Sequence, residues 1–376
     1  MDLSFTPEQE AFRAEARAWL AGNVPSEPLP SFDTREGFGA HRDWERRLFD
    51  AGWAAVNWPT DVGGRGLGLL EWLIFEEEYW SAGAPGRVNQ NGLFLLGPTL
   101  LEFGTDGQRA RYLPRIASAE EVWCQGWSEP DAGSDLASLT SRAERRGDAW
   151  VVNGQKTWCS RGAFADWMFG IFRTDPESER HRGLSYLLVP LDAPGVTVRP
   201  IAQLDGEAGF AEVFLDDVEI PAENLLGPEG EGWKVAMSTA SFERGVILRS
   251  PGRFMGTAGR LVELCRRSGE VPISLLDAVT DAWMRVEAYR LNTHWTVTRV
   301  LEGGSVGAEA SLNKLWWSEM DVSLHTAALG LLGEEAELAG PWTDGFLFSL
   351  AGPIYAGTNE IQRNIVAERV LGLPRS

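Results

Sequence analysis

The chain has 376 residues, with 34 Lys+Arg against 54 Asp+Glu and a formal net charge of −20. At 44% hydrophobic and 23% charged, it has the composition of a globular protein with a substantial core, which excludes disordered and collagen-like classes. The carboxylate excess excludes duplex nucleic acid, where cations must displace condensed counterions, and an anionic membrane surface.

The N-terminus is acidic from Asp2 and lacks the basic and apolar regions of a signal peptide, which predicts a cytoplasmic protein. No run of about 18 apolar residues is present, so no membrane span is expected. Thr6 suits an N-cap, Pro7 the first helical position and Gln9 the third, a capping box that opens a helix carrying Phe12, Ala16, Trp19 and Leu20 on one face. Helical periodicity recurs over 41–52 and 69–79, separated by the loop Asn57-Trp58-Pro59-Thr60-Asp61-Val62-Gly63-Gly64. Residues 1–120 therefore read as a helical domain.

From about Val122 the period falls to two. Ala149 to Val152 and Lys156 to Trp158 flank Asn153-Gly154, which predicts a hairpin turn there, and strands are expected at 184–189, 196–200 and 211–215. Residues 121–228 read as a β domain, closed by the glycine-rich Gly227–Gly232 segment. Helical periodicity then runs from Trp233 almost to the end, so 229–376 reads as a helical bundle. The architecture expected is α+β and multidomain, with helices, then a barrel or sandwich, then four bundled helices.

Three cysteines, Cys124, Cys159 and Cys265, fit neither a disulfide framework nor a thiol metal site, and four scattered histidines lack ligand spacing, so no metal is expected. Neither a phosphate-loop pattern nor Gly-x-Gly-x-x-Gly occurs, which argues against Walker-type and Rossmann nucleotide sites. Three places carry possible chemistry. On the helix from Trp233, Glu243 falls on the side of Ala236, Ala240, Val246 and Ile247 and opposite Lys234, Ser238, Ser241 and Gly245. A carboxylate on an apolar face is either a structural partner of a nearby Arg or, its pKa raised by desolvation, a general base. Gln125-Gly126-Trp127-Ser128-Glu129-Pro130-Asp131-Ala132-Gly133-Ser134-Asp135 is either a connecting loop or a turn whose main-chain N–H groups hold a planar anionic ligand. Trp158-Cys159-Ser160-Arg161-Gly162 sets an aromatic ring beside a hydroxyl, which suits a flat heteroaromatic ligand or an ordinary strand end. No His near Cys159 in sequence supports a thiol nucleophile.

Trp127–Asp135 resembles the Thr/Ser-Glu-Pro-x-Ala-Gly-Ser-Asp signature of the acyl-CoA dehydrogenases, Asn153–Trp158 resembles their Asn-Gly-x-Lys-x-Trp, and Tyr355–Arg363 resembles their C-terminal motif. The resemblance spans nearly the whole chain and implies the same helix, sheet, bundle order. It implies FAD as cofactor and introduction of an α,β double bond into an acyl-CoA thioester. It places Gln125, Trp127, Ser128, Trp158 and Ser160 against the flavin ring, with Thr358 and Glu360 near the pyrophosphate. Ser134, Arg244, Ala356 and Gly357 would approach the acyl-CoA, and the main-chain N–H of Ala356 would help stabilise the thioester oxygen. Many members carry their catalytic Glu where this chain has Ala356, whereas an isovaleryl-type branch takes its base from a Glu-Arg pair in the bundle, matched here by Glu243-Arg244.

Three departures bear on assembly, one of them the lack of the family's Gln a little after the first segment. The Arg-x-x-Phe-Gly segment by which a neighbouring subunit completes the FAD site reads Arg266-Arg267-Ser268-Gly269-Glu270-Val271-Pro272, and the Gln-x-x-Gly-Gly-x-Gly loop reads Ala327-Ala328-Leu329-Gly330-Leu331-Leu332-Gly333. The resemblance then implies the catalytic subunit of an α2β2 heterotetramer whose partner is a second dehydrogenase-like chain; a homotetramer is the alternative. Electron transfer flavoprotein is the implied acceptor. A flavin oxidase or monooxygenase, or a non-catalytic partner subunit, are the competing functions.

Overall fold

The computed structural model describes residues 4–244, 250–304 and 306–374, without the side chain of Arg244. The helices are α1 (Pro7–Asn23), α2 (Arg35–Asp50), α3 (Leu69–Ser81), α4 (Gly97–Phe103) and α5 (Asp106–Ala117), then α6 (Gly232–Arg244), α7 (Pro251–Arg267), α8 (Ile273–Leu301), α9 (Ala310–Leu332), α10 (Pro341–Leu350) and α11 (Asn359–Ile365). Between them lie β1 (Trp123–Gly126), β2 (Arg142–Arg146), β3 (Ala149–Ser160), β4 (Trp167–Arg173), β5 (Leu184–Pro190), β6 (Val196–Ile201), β7 (Phe210–Pro221) and β8 (Leu225–Leu226). Helices, sheet and helices follow one another as expected. Two compact units result, one of residues 1–26, 68–84 and 243–376, the other of 27–67 and 85–242.

In the first unit, α1 begins with the anticipated capping box, Thr6 accepting from Gln9 N while the Gln9 side chain accepts from Thr6 N. Its apolar residues Phe12, Ala16 and Leu20 are buried, and Arg13 and Arg17 bind the carboxylates of Glu77 and Glu78 on α3. Gly252 lets the start of α7 approach α3, since a Cβ there would lie 2.4 Å from Glu76 O. Phe254, Leu261, Tyr289, Trp317, Met320 and Leu324 form the bundle core.

The second unit is built on one sheet of order β6-β7-β3-β2-β4-β5-β8, with β1 parallel to β4. Its core includes Trp150, Val152, Met168, Phe172, Val213 and Ile220. The hairpin expected at Asn153-Gly154 is absent. Those residues lie inside the continuous strand β3, and the chain reverses instead at Gly147-Asp148, where Gly147 takes φ +64° and Arg146 pairs with Ala149. Asn153 and Asp217 exchange hydrogen bonds, Asn153 Nδ2 to Asp217 Oδ1 and Asp217 N to Asn153 Oδ1, both 3.0 Å. The tolerance of Asn-Gly for unusual φ is spent on a bulge, seen as a register shift against β7 between Val152 and Gly154.

α6 is fixed within this unit by hydroxyls. Thr239 lies 2.8 Å from Thr99 on α4 and 3.4 Å from the Tyr186 hydroxyl on β5. Among the described residues no helix is long and apolar enough to cross a membrane.

Candidate active site

Buried Asn89 sets the start of β1. Its amide donates to Ile116 O and Glu121 O, while its Oδ1 accepts from Trp123 N at 3.0 Å. β1 then runs parallel to β4 with Gln125 opposite Phe169 and Gly126 opposite Gly170. The motif that follows is clasped to β3. Thr157 N donates to Ser128 O at 2.9 Å, and Lys156 Nζ donates to Trp127 O at 3.3 Å.

The same ammonium donates to Glu129 Oε1 and to Ile171 O, both at 2.8 Å, so its three protons are all used. Glu129 also accepts from Thr140 N, Thr140 Oγ1 and Ser141 N at 2.7, 2.8 and 2.9 Å. Burial raises the Glu129 carboxyl, but Lys156 and these donors overcome it and bring the pKa down to about 2. Lys156 is completely buried, and burial pulls its pKa below the ordinary lysine value, against the attraction of Glu129. The sequence reading placed both residues in motifs but gave neither a task. A Lys and a Glu separated by 27 positions carry no local signal of pairing.

Immediately beyond Lys156, β3 slips its register against β7 between Lys156 and Cys159. At this bulge Trp158 adopts φ +58° and leaves its indole 59% exposed, edge-on to Phe210 at 5.9 Å. Positive φ in a bulky residue is costly, and here it turns the ring out of the sheet. Trp127 is buried, with its ring edge-on to Tyr186 and its Nε1 without an acceptor among the described residues. The Ser128 N–H makes no hydrogen bond among the described residues. Gln125, Ser128 and Ser160 are half-buried, and Ser134 is exposed. An exposed indole and, among the described residues, a main-chain N–H without an acceptor match a flat heteroaromatic bearing carbonyl and ring-nitrogen acceptors. These residues therefore fit a flavin.

Cys159 and Cys124 are fully buried, and hydrogen bonding from Cys159, then burial, raises the Cys124 pKa. Neither is placed to act as a nucleophile. Among the described residues no cluster of His, Cys, Asp or Glu could hold a metal ion.

The other candidates lie in the first unit. Glu243 is half-buried, one helical turn beyond Thr239 and Ala240, which with Val235 and Ala236 form the buried stripe of α6. Arg244 ends α6, and Val246 and Ile247, which the sequence placed beside Glu243, lie outside the described residues. Ala356 and Gly357 take φ +58° and +81°, and Thr358 then caps α11, accepting from Ile361 N. This turn is anchored from within: Gln362 Nε2 reaches Ala356 O and Gly357 O at 3.4 Å, and buried Asn359 accepts from Lys314 Nζ at 2.7 Å. Glu360 is exposed, its carboxyl held below the ordinary value by its main-chain N–H and the Thr358 hydroxyl.

The segment read as a loop at Ala327–Gly333 is not one. It forms the end of α9, Ala327 and Ala328 are buried in the bundle core, and a Cβ on Gly330 would sit 2.7 Å from Leu275 Cδ2. Replacing Gln and Gly by Ala and Leu supplies helix formers with apolar surface, so the helix continues until Gly333 at φ +58°. The 268–272 stretch is a short link from α7 to α8.

Residues 6–120, 124–218 and 230–371 match, in turn, the acyl-CoA dehydrogenase N-terminal, middle and C-terminal domain families. The acyl-CoA dehydrogenase IpdE1 of Mycobacterium tuberculosis (strain ATCC 25618 / H37Rv) is 45% identical over 97% of this chain and 98% of its own length. The chain belongs to the acyl-CoA dehydrogenase family. It is an oxidoreductase acting on acyl-CoA. Two solved structures covering all of this chain and all of their own are similar. One is the Tcur3481-Tcur3483 steroid ACAD, at TM-score 0.87 and 29% identity. The other is the ChsE4-ChsE5 complex from Mycobacterium tuberculosis, at TM-score 0.84 and 31% identity.

Proposed function

We propose that this acyl-CoA dehydrogenase is the FAD-binding, base-bearing subunit of a heteromeric enzyme that desaturates a bulky acyl-CoA at the α,β position. The observation that carries the flavin assignment is the direct bonding of 127–129 to 156–157, which joins two motifs of the predicted flavin platform. Gln125, Trp127, Ser128, Trp158 and Ser160 are assigned to the ring, Thr358 and Glu360 to the pyrophosphate, and Ser134, Arg244, Ala356 and Gly357 to the thioester. Bound FAD supplies a two-electron acceptor for the β hydride. The functional domains are taken as 1–120, 121–228 and 229–376.

Glu243 is assigned the α proton. Ala356 has no carboxylate to offer, and Glu243 is half-buried, one turn beyond the buried Thr239 and Ala240 of α6, at the position of the isovaleryl-type base. An α proton is weakly acidic, so the charge that develops on the thioester oxygen must be met by preorganised donors, a task assigned to the Ala356–Gly357 turn. The experiment is Glu243→Gln, scored by turnover and by acyl-CoA binding. Turnover is expected to fall by about 10²–10⁴-fold or more with binding retained. Turnover at the parent rate contradicts the assignment.

The heteromeric part rests on Ala327, Ala328 and Leu331, apolar residues that continue α9 where members of the family present a polar loop across an interface. Burying diphosphate oxygens without donors is expensive. A second dehydrogenase-like chain would supply them, a reading supported by the likeness to the Tcur3481-Tcur3483 steroid ACAD and the ChsE4-ChsE5 complex. A steroid-type acyl group, a cytoplasmic location and electron transfer flavoprotein as acceptor complete the proposal.

A further inference from the structure

We propose that Lys156 is a positioning residue that tunes the flavin: its buried ammonium polarises the Trp127–Ser128 peptide and makes the Ser128 N–H a stronger donor toward the flavin ring. This rests on the flavin reading above and adds to it a residue that does not touch the cofactor.

The geometry is specific. One peptide group links Trp127 and Ser128. Its carbonyl accepts from Lys156 Nζ at 3.3 Å, while its N–H makes no hydrogen bond among the described residues. A cation on a carbonyl oxygen draws electron density through the amide and strengthens its N–H, an effect that low local dielectric enhances. Lys156 is fully buried, so no water screens it. Its other two protons, on Glu129 Oε1 and Ile171 O, fix the ammonium to both the motif and β4. The next carbonyl, Ser128 O, is held in turn by Thr157 N at 2.9 Å, so the chain is fixed on both sides of the Ser128 N–H. If stability were the sole requirement, an apolar pair of similar volume would serve as well or better, since buried ion pairs are weak evidence for stability. A retained charge on the carbonyl of a peptide with an open N–H is explained by what that N–H meets.

A donor aimed at the ring stabilises the more electron-rich, reduced form, so removing the polarisation makes the flavin harder to reduce. The variant that separates tuning from folding is Lys156→Met with Glu129→Gln, which deletes both charges together and leaves no orphaned carboxylate. The enzyme is prepared with its partner subunit, and its midpoint of unfolding, FAD dissociation constant and flavin reduction potential are measured. The double variant is expected to unfold close to the parent midpoint, to bind FAD about tenfold more weakly, and to have a more negative potential. Parent affinity and potential in a folded double variant overturn the proposal and leave the flavin reading standing. A parent complex that holds no FAD overturns the flavin reading itself. Should the double variant not fold, Lys156→Leu with Glu129→Gln, which also deletes both charges, is measured in its place. The same weaker FAD binding and more negative potential are expected, and parent values overturn the proposal.

Discussion

Lys156 and Glu129 show how a buried charge survives in this protein: every proton of one and both oxygens of the other are used. Lys156→Met alone strands the Glu129 carboxylate, and urea denaturation is expected to show a loss of about 3–5 kcal/mol. A loss below about 1 kcal/mol would contradict the pairing. The acid side follows from the same contacts. The folded-state pKa of Glu129, about 2, lies below its ordinary 4.5, so its contribution to stability is complete above the ordinary value and fades as pH falls toward 2. Glu129→Gln should flatten the stability profile across that window. Cysteine labelling tests the other buried residues. Cys124 and Cys159 are fully enclosed, so a thiol reagent is expected to miss both in the native protein and to reach them on denaturation. Rapid native labelling of Cys159 would revive the nucleophile reading.

Among the elements, sequence reading did best where the signal is local. Thr6-Pro7-Gln9 specified a helix start that the structure reproduces, because capping uses neighbours three residues apart. Strands at 196–201 and 210–221 follow the alternation that half-buried sheet demands, while 184–190 is an apolar run buried along nearly its whole length. It failed at Asn153-Gly154, where partners 64 residues away decide the conformation. A pair of alanine substitutions measures that distinction. At Gly154 a Cβ would lie 2.2 Å from Ser141 Oγ and 2.7 Å from Ser141 Cα, at φ +146°, whereas at Gly147, φ +64°, nothing stands within 4 Å. Gly147→Ala is expected to cost about 1 kcal/mol from backbone strain alone, and Gly154→Ala about 1–3 kcal/mol more from overpacking. Equal costs would contradict a bulge at Gly154. The reading of a loop at Ala327–Gly333 failed for a related reason. It followed the spacing of a family motif, while the residues actually present continue a helix and bury it.

Across the whole molecule, the candidate site was proposed from motifs, and little of its geometry was legible. Resemblance to family motifs singled out Trp127, Ser128, Trp158 and Ser160, but not the bulge that turns Trp158 outward, nor the ion pair that clasps the two motifs together. Those features come from long-range pairing, which sequence periodicity does not encode. The departures at 266–272 and 327–333 give the account its assembly claim: one chain carries the flavin ring site and the base, and a second completes the cofactor's diphosphate site. The direct measurement is FAD content per chain by visible absorbance, for the protein purified alone and after co-expression with a second dehydrogenase-like subunit. The account predicts little or no flavin in the chain alone and near-stoichiometric flavin in the complex. Near-stoichiometric, retained flavin in the chain purified alone would contradict it.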